Sequence, residues 1–164
     1  MADQTERAIA QLHRDRPTLD TATLALSQRV IRLARRLEIA HREALSARDL
    51  EVWEHDVLVA LRAAGNPDGL TPSELMAATQ VASGTVTNRI DRLATRGLVT
   101  REPDPRDRRG VLVRLTTAGR KKADSATSDV TAAEDELWSA LPARKREQLT
   151  ALLRDCLAGL EAID

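Results

Sequence analysis

SGTVTNRIDRLATRGLVTREPDPRDRRGVLVRLT, residues 83–116, changes its hydrophobic period half-way along. In the first half Val86, Ile90 and Leu93 recur at steps of four and three, the apolar stripe of a helix, and Gly97 stands where such a helix would end. In the second half LVTRE (98–102) and VLVRLT (111–116) are rich in β-branched and apolar residues. They flank PDPRDRRG, so the pattern predicts a two-stranded hairpin with a charged tip.

At 100° per residue the face of the predicted helix opposite the apolar stripe is small and polar. Asn88 and Thr95 lie across from it, with Gly84, Thr85, Asp91 and Arg92 beside them and Arg89 at the border. Upstream, TPSE gives a strong helix start: Thr71 as N-cap, Pro72 at the first helical position and Glu74 closing a capping box. A short turn at Gln80 and Val81 then joins two helices. The second exposes small residues in its first turns, where close approach to base edges requires them. This helix-turn-helix reading makes Ser83, Gly84, Thr85, Thr87, Asn88 and Arg92 the DNA-reading residues; an ordinary antiparallel helix pair is the alternative. A hairpin directly after a recognition helix is a wing. Val111, Val113 and Leu115 are expected to share its inner face, leaving the loop to project. Arginine suits a narrow minor groove, so Arg109 is expected to enter it, braced by Asp107, with Arg106 and Arg108 near phosphates. A solvated edge-protecting hairpin is the plainer reading of the same residues.

The net charge of the 164 residues is zero, yet between Arg89 and Lys122 eleven basic residues face four acids. A basic segment inside a neutral chain marks a local anionic partner. Phe and Tyr are absent and only two Trp occur. That leaves no stacking platforms for single strands or RNA, and Leu, Val, Ile and Ala must fill the core. Phosphate-loop, GxSxG and histidine-carboxylate signatures are missing, which argues against an enzyme. His13, His41 and His55 have no spacing that builds a metal site, and no cofactor is implied. No apolar run spans a membrane and the polar start lacks a signal sequence, so a cytoplasmic protein is expected.

Further helices are expected on both sides. Ala8, Ile9 and Leu12 mark a short one over residues 3–14, ended by Pro17. Asp20 is placed to cap a long one reaching about Ala47, and Trp53, Val57, Leu58 and Leu61 define a third, stopped at Gly65. Downstream, residues 117–138 read as a helix with Thr117 as cap. A last helix from Pro142 carries Leu149, Leu152, Leu153, Cys156, Leu157 and Leu160 on one stripe. Such a stripe has to be buried, and interlocking with a second copy is the expected solution. Cys156 is then a small core residue; oxidation sensing is the lesser reading.

The segment 70–120, and DPRDRRGVLVRLT in particular, resembles the winged helix-turn-helix of the MarR (multiple antibiotic resistance regulator) family. The resemblance implies a mainly α fold with a two-stranded wing. Residues 1–50 and 117–164 would supply dimerisation helices around a DNA-binding domain at 51–116. It also implies a homodimeric repressor that binds a palindromic operator in double-stranded DNA and releases it when a small molecule binds or a thiol is oxidised. A winged-helix protein-interaction module is the rival. Within the family, RPTLD, WEHDVL and SGTVTNRID are most similar to the urate- and organic-acid-responsive (UrtR-like) subgroup. Position by position, its ligand-binding residues fall on Asp56, Arg89 and Arg101. Leu12 stands where the subgroup has a Trp, so the aromatic that would stack on a purine is absent. Two arginines remain able to hold an anionic or aromatic carboxylate effector. Alternatively Asp56, Arg89 and Arg101 form a structural ion-pair network.

Overall fold

The computed structural model describes residues 4–65 and 69–161, with the side chains of Arg108, Arg109 and Glu161 outside that description. Two compact units make it up, one ending at Ala40 and the other beginning at His41. The first holds α1 (Gln4–Asp15) and most of α2 (Ala22–Ser46). Pro17 ends the first helix, since the residue before a proline is pushed out of helical geometry. The Asp20 carboxylate accepts the Ala22 N–H at 2.9 Å and opens the second. Inside this unit Arg32 donates to Thr5 Oγ1 at 3.3 Å. Leu26, Val30 and Ile31 of α2 are exposed.

The second unit continues from the end of α2 through α3 (Val52–Ala63), α4 (Pro72–Thr79), α5 (Ser83–Thr95), β1 (Val99–Asp104), β2 (Asp107–Leu115), α6 (Thr117–Trp138) and α7 (Ala143–Glu161). Leu45, Leu58, Leu75, Ile90 and Leu93 are fully buried and tie α2, α3, α4 and α5 into one core. The predicted stripe of α5 is therefore its inner face. The capping box of α4 forms as expected: Thr71 Oγ1 accepts from Glu74 N–H at 3.2 Å and the Glu74 carboxylate accepts from Thr71 N–H at 2.7 Å. Gln80, at φ +51°, ends α4 in the left-handed region and turns the chain into α5. Along the other side of α3, four side-chain links reach α6 from α3 and the end of α2. They are His41 to Glu134 (2.7 Å), Arg48 to Asp129, His55 to Thr127 (3.2 Å) and Arg62 to Asp124 (2.9 Å).

Three expectations are corrected. The first is the cap of α6, which is Thr116 rather than Thr117. Its hydroxyl accepts from Gly119 N–H at 2.9 Å and donates to Gly97 O at 2.8 Å, joining the helix to the end of α5. Gly119 itself lies against the chain at Leu98, where an added Cβ would stand 1.9 Å from the carbonyl oxygen. The second is the hairpin. Its strands run almost to the tip, leaving only Pro105 and Arg106 as the turn, because Asp104 pairs with Asp107 and its carboxylate holds the turn closed. The register slips between Pro103 and Asp104, so residues 108–110 of β2 have no opposite residue and form a bulge. Val113 and Leu115 are buried as expected, but Val111 is 37% exposed while Leu112, on the opposite face, is fully buried. β2 packs against α3, α4 and α6, and Leu70 adds a one-residue bridge to Val113, so both faces are covered at the base and neither further out. The third concerns Cys156. It is exposed, as are Leu152, Leu153, Leu157 and Leu160, because no other described element of this unit lies over that stripe of α7. No described helix is long and apolar enough to cross a membrane.

Candidate nucleic-acid interface

The start of α5 is open for contact. Ser83, Gly84, Thr85, Thr87 and Asn88 are all exposed, and Val86, Ile90 and Leu93 beneath them are buried. The N-cap position is Ala82, which has no side chain able to accept a hydrogen bond. Free N–H groups and the positive end of the helix dipole are thus left for an outside anion. Nothing lies within 4 Å of a Cβ built on Gly84, so this glycine gives a flat surface and is not demanded by packing.

At the wing, the bracing pair among described side chains is one the sequence reading missed. Asp104 is 8% exposed. Its carboxylate accepts the Arg106 N–H at 2.8 Å and Arg106 Nε at 3.2 Å, and these bonds hold it below the usual carboxylate range. An Asx turn of this kind was legible in DPR, where an acid precedes a proline and a turn residue. Asp107 is exposed, whereas the side chains of Arg108 and Arg109 lie outside the described residues. At the wing base Arg114 pairs with Glu102 at 2.9 Å.

The four residues assigned to a ligand are distributed unevenly. Leu12 is half-buried on α1 in the first unit. Asp56 and Arg89 line one cleft of about 850 Å³ between the end of α2, α3 and α5, whose other basic walls are Arg42, Arg92 and Arg96. Desolvation raises the Asp56 carboxyl above its ordinary value, against the pull of His55 and Arg89. Desolvation likewise lowers His55. Arg101 is not on the cleft wall; it pairs with Asp91 at 2.8 Å and fastens the wing to α5. No described ion pair joins Asp56, Arg89 and Arg101 to one another.

Sequence reasoning also missed the charge centre of this cleft. Glu54 is 1% exposed; its carboxylate accepts the Glu51 N–H at 3.0 Å and Arg96 Nη1 at 2.6 Å, while Arg96 Nη2 reaches Asp49 O at 2.5 Å and Oδ2 at 2.7 Å. The Glu54 bond raises Arg96 further above its already high value. The signal was present in EVWE, a capping box with Glu in both roles, but nothing in the sequence tied Arg96 to it. Beside this pair, Arg92 and Arg89 place their guanidinium carbons 4.7 Å and 5.5 Å from the ring centre of Trp53.

Comparison with known proteins places this geometry. The family model described as "MarR family" matches residues 48–110. Over 145 residues, 88% of this chain and 87% of the relative, the sequence is 28% identical to the HTH-type transcriptional regulator PecS of Dickeya dadantii. A crystal structure of a mutant MarR from E. coli complexed with operator DNA superposes with a TM-score of 0.74. It is 31% identical, covering 84% of this chain and 96% of that one. The chain belongs to the MarR family. As a MarR-family member it is a transcriptional regulator with a DNA-binding winged helix. CouR from Rhodococcus jostii RHA1 bound to p-coumaroyl-CoA is similar as well, at 27% identity and a TM-score of 0.68 over 85% of this chain and 91% of that one.

Proposed function

We propose that this MarR-family protein is a ligand-responsive repressor that binds a palindromic operator as a homodimer and lets go when a small anionic metabolite binds. The observation that carries the DNA half is the outer face of α5. Five small polar residues, Ser83 to Asn88 without Val86, stand exposed over a fully apolar inner face and beside an arginine-rich hairpin. In this reading Ser83, Gly84, Thr85, Thr87, Asn88 and Arg92 meet the major groove. Arg106, Asp107, Arg108 and Arg109 serve the wing, with Arg109 in the minor groove. Two copies, joined through terminal helices that include the exposed leucines of α7, would offer two recognition helices to half-sites about 10 base pairs apart. MarR from E. coli has been crystallised with operator DNA, in support of the same use here.

For the effector, the cleft carrying Asp56 and Arg89 offers guanidinium groups to a carboxylate: of its four arginines, Arg96 is held by Glu54 and Asp49 and Arg92 by Glu51, and Arg42 and Arg89 stand beside the desolvated Asp56. Arg101 would join as the ligand moves the wing. That CouR holds an acyl-CoA shows a family relative with a small-molecule ligand. A selection of genomic fragments by the purified protein tests the whole. The expected result is recovery of palindromic duplexes whose affinity falls steeply with salt, and release by aromatic or aliphatic carboxylates but not by their neutral amides. Recovery of no sequence, with a flat salt response, would overturn the DNA reading. Release by amides as readily as by acids would overturn the anionic effector.

A further inference from the structure

Thr85, Asn88, Arg89 and Arg92 follow one another at steps of three, one and three, so they form a single stripe along α5. The stripe faces Trp53 of α3. Between them runs a groove of about 430 Å³, walled by Trp53, Gly84, Thr85, Asn88, Arg89 and Arg92. Its near end is the DNA-reading start of α5. The larger cleft on the other side is also walled by Trp53, Arg89 and Arg92. These three side chains are therefore a partition between two hollows, one opening to the reading surface and one to the proposed effector cleft.

Two guanidinium groups packed on one indole would repel each other if nothing held them. Trp53 is half-buried against the core, and its ring attracts both through the π face. Arg92 receives further help from Glu51, 3.6 Å from its Nη2. Arg89 has no described ion pair, so the ring and the more distant charge of Asp56 are what orient it. An arginine held in this way reaches a phosphate with little loss of side-chain freedom on binding.

We propose that Trp53 is a positioning residue for DNA binding, its ring holding Arg92 and Arg89 toward an operator phosphate seated in the groove beside Thr85 and Asn88. The inference rests on the DNA-binding reading given above, and its test separates the two.

The probe is the duplex that the wild-type protein itself selects from genomic fragments, and the measurement is affinity against salt concentration. Trp53→Leu is expected to weaken binding roughly five- to tenfold and to lower the slope of log affinity against log salt by about one to two. Trp53→Phe, which keeps a π face, is expected to recover most of both losses. Unchanged affinity in Trp53→Leu overturns the proposal. So does weaker binding at an unchanged slope, which would mean that the ring supports only the fold, and so does Trp53→Phe behaving like Trp53→Leu. A measurement independent of those variants uses Trp138→Phe, which leaves Trp53 as the single indole. Saturating duplex should change its emission, and an unmoved spectrum again overturns the proposal. If the wild type shows no salt-dependent duplex binding, the DNA reading fails first and this inference with it.

Discussion

Arg96→Ala should be among the most damaging single changes outside the apolar core. The Glu54 carboxylate is 2% exposed, and removing Arg96 leaves it with the Glu51 N–H as its remaining hydrogen-bond donor. Breaking a fully buried pair from one side costs about 3–5 kcal/mol. The Arg96 side chain is 31% exposed, so water already shares in its solvation and the figure falls to about 2–3 kcal/mol. Glu54→Gln is the informative partner. It strips the charge from the buried site and leaves Arg96 bound to Asp49, through a carbonyl at 2.5 Å and a carboxylate at 2.7 Å. That variant should lose only about 1 kcal/mol. Urea unfolding at neutral pH measures both; for a chain of this size the larger loss corresponds to a drop of roughly 5–10 °C in Tm. The order decides the matter. Glu54→Gln costing more than Arg96→Ala, or Arg96→Ala falling within about 0.5 kcal/mol of wild type, would refute the idea that a stranded buried carboxylate is what the pair avoids.

Gly119→Ala should lower stability by about 2–4 kcal/mol despite its gain in helix propensity, since the new Cβ would sit 1.9 Å from the Leu98 carbonyl oxygen; calorimetry reads the change. His55 is lowered by desolvation, so the unfolded chain binds the proton more readily. Its contribution is complete above the ordinary value of 6.5 and is lost as pH falls from there toward the folded value. Tm measured from pH 7.5 to 5 should decline, and His55→Gln should flatten the curve; an identical decline in the variant would assign it elsewhere. Leu157, 59% exposed on α7, is expected at the interface between copies. Leu157→Glu should shift sedimentation to the monomer, and a retained dimer would remove α7 from the interface.

Much of the fold was readable because each element carries its own local signal. The Thr71–Glu74 box, the stripe of α5 and Gly97 at φ +67° follow from hydrogen bonding and backbone geometry within a few residues. The wing was harder. PDPRDRRG looked like a loop because prolines and charges dominate it, and what carried the strands so far into it was the Asp104 turn, whose signal in DPR composition alone does not show. In the candidate site the exposed residues of α5 were legible from helical phase alone. Arg101 and Asp91 were not, since pairing across 10 residues through a strand depends on register. The Arg96–Glu54 and Arg89–Trp53 contacts join residues more than 35 apart, where a single sequence has no period to read.

The four links between α6 and its neighbours bear on mechanics. They attach at Asp124, Thr127, Asp129 and Glu134, over about 15 Å of a helix roughly 33 Å long. Distributed in this way, they would resist sliding and twisting together, so α6, α3 and the end of α2 would turn as a single stiff arm. In a pair of copies, the separation of the two reading heads would then be set by the angle at which these arms meet. A few degrees at that joint would translate into ångströms at the grooves, with the interior of each arm left undisturbed.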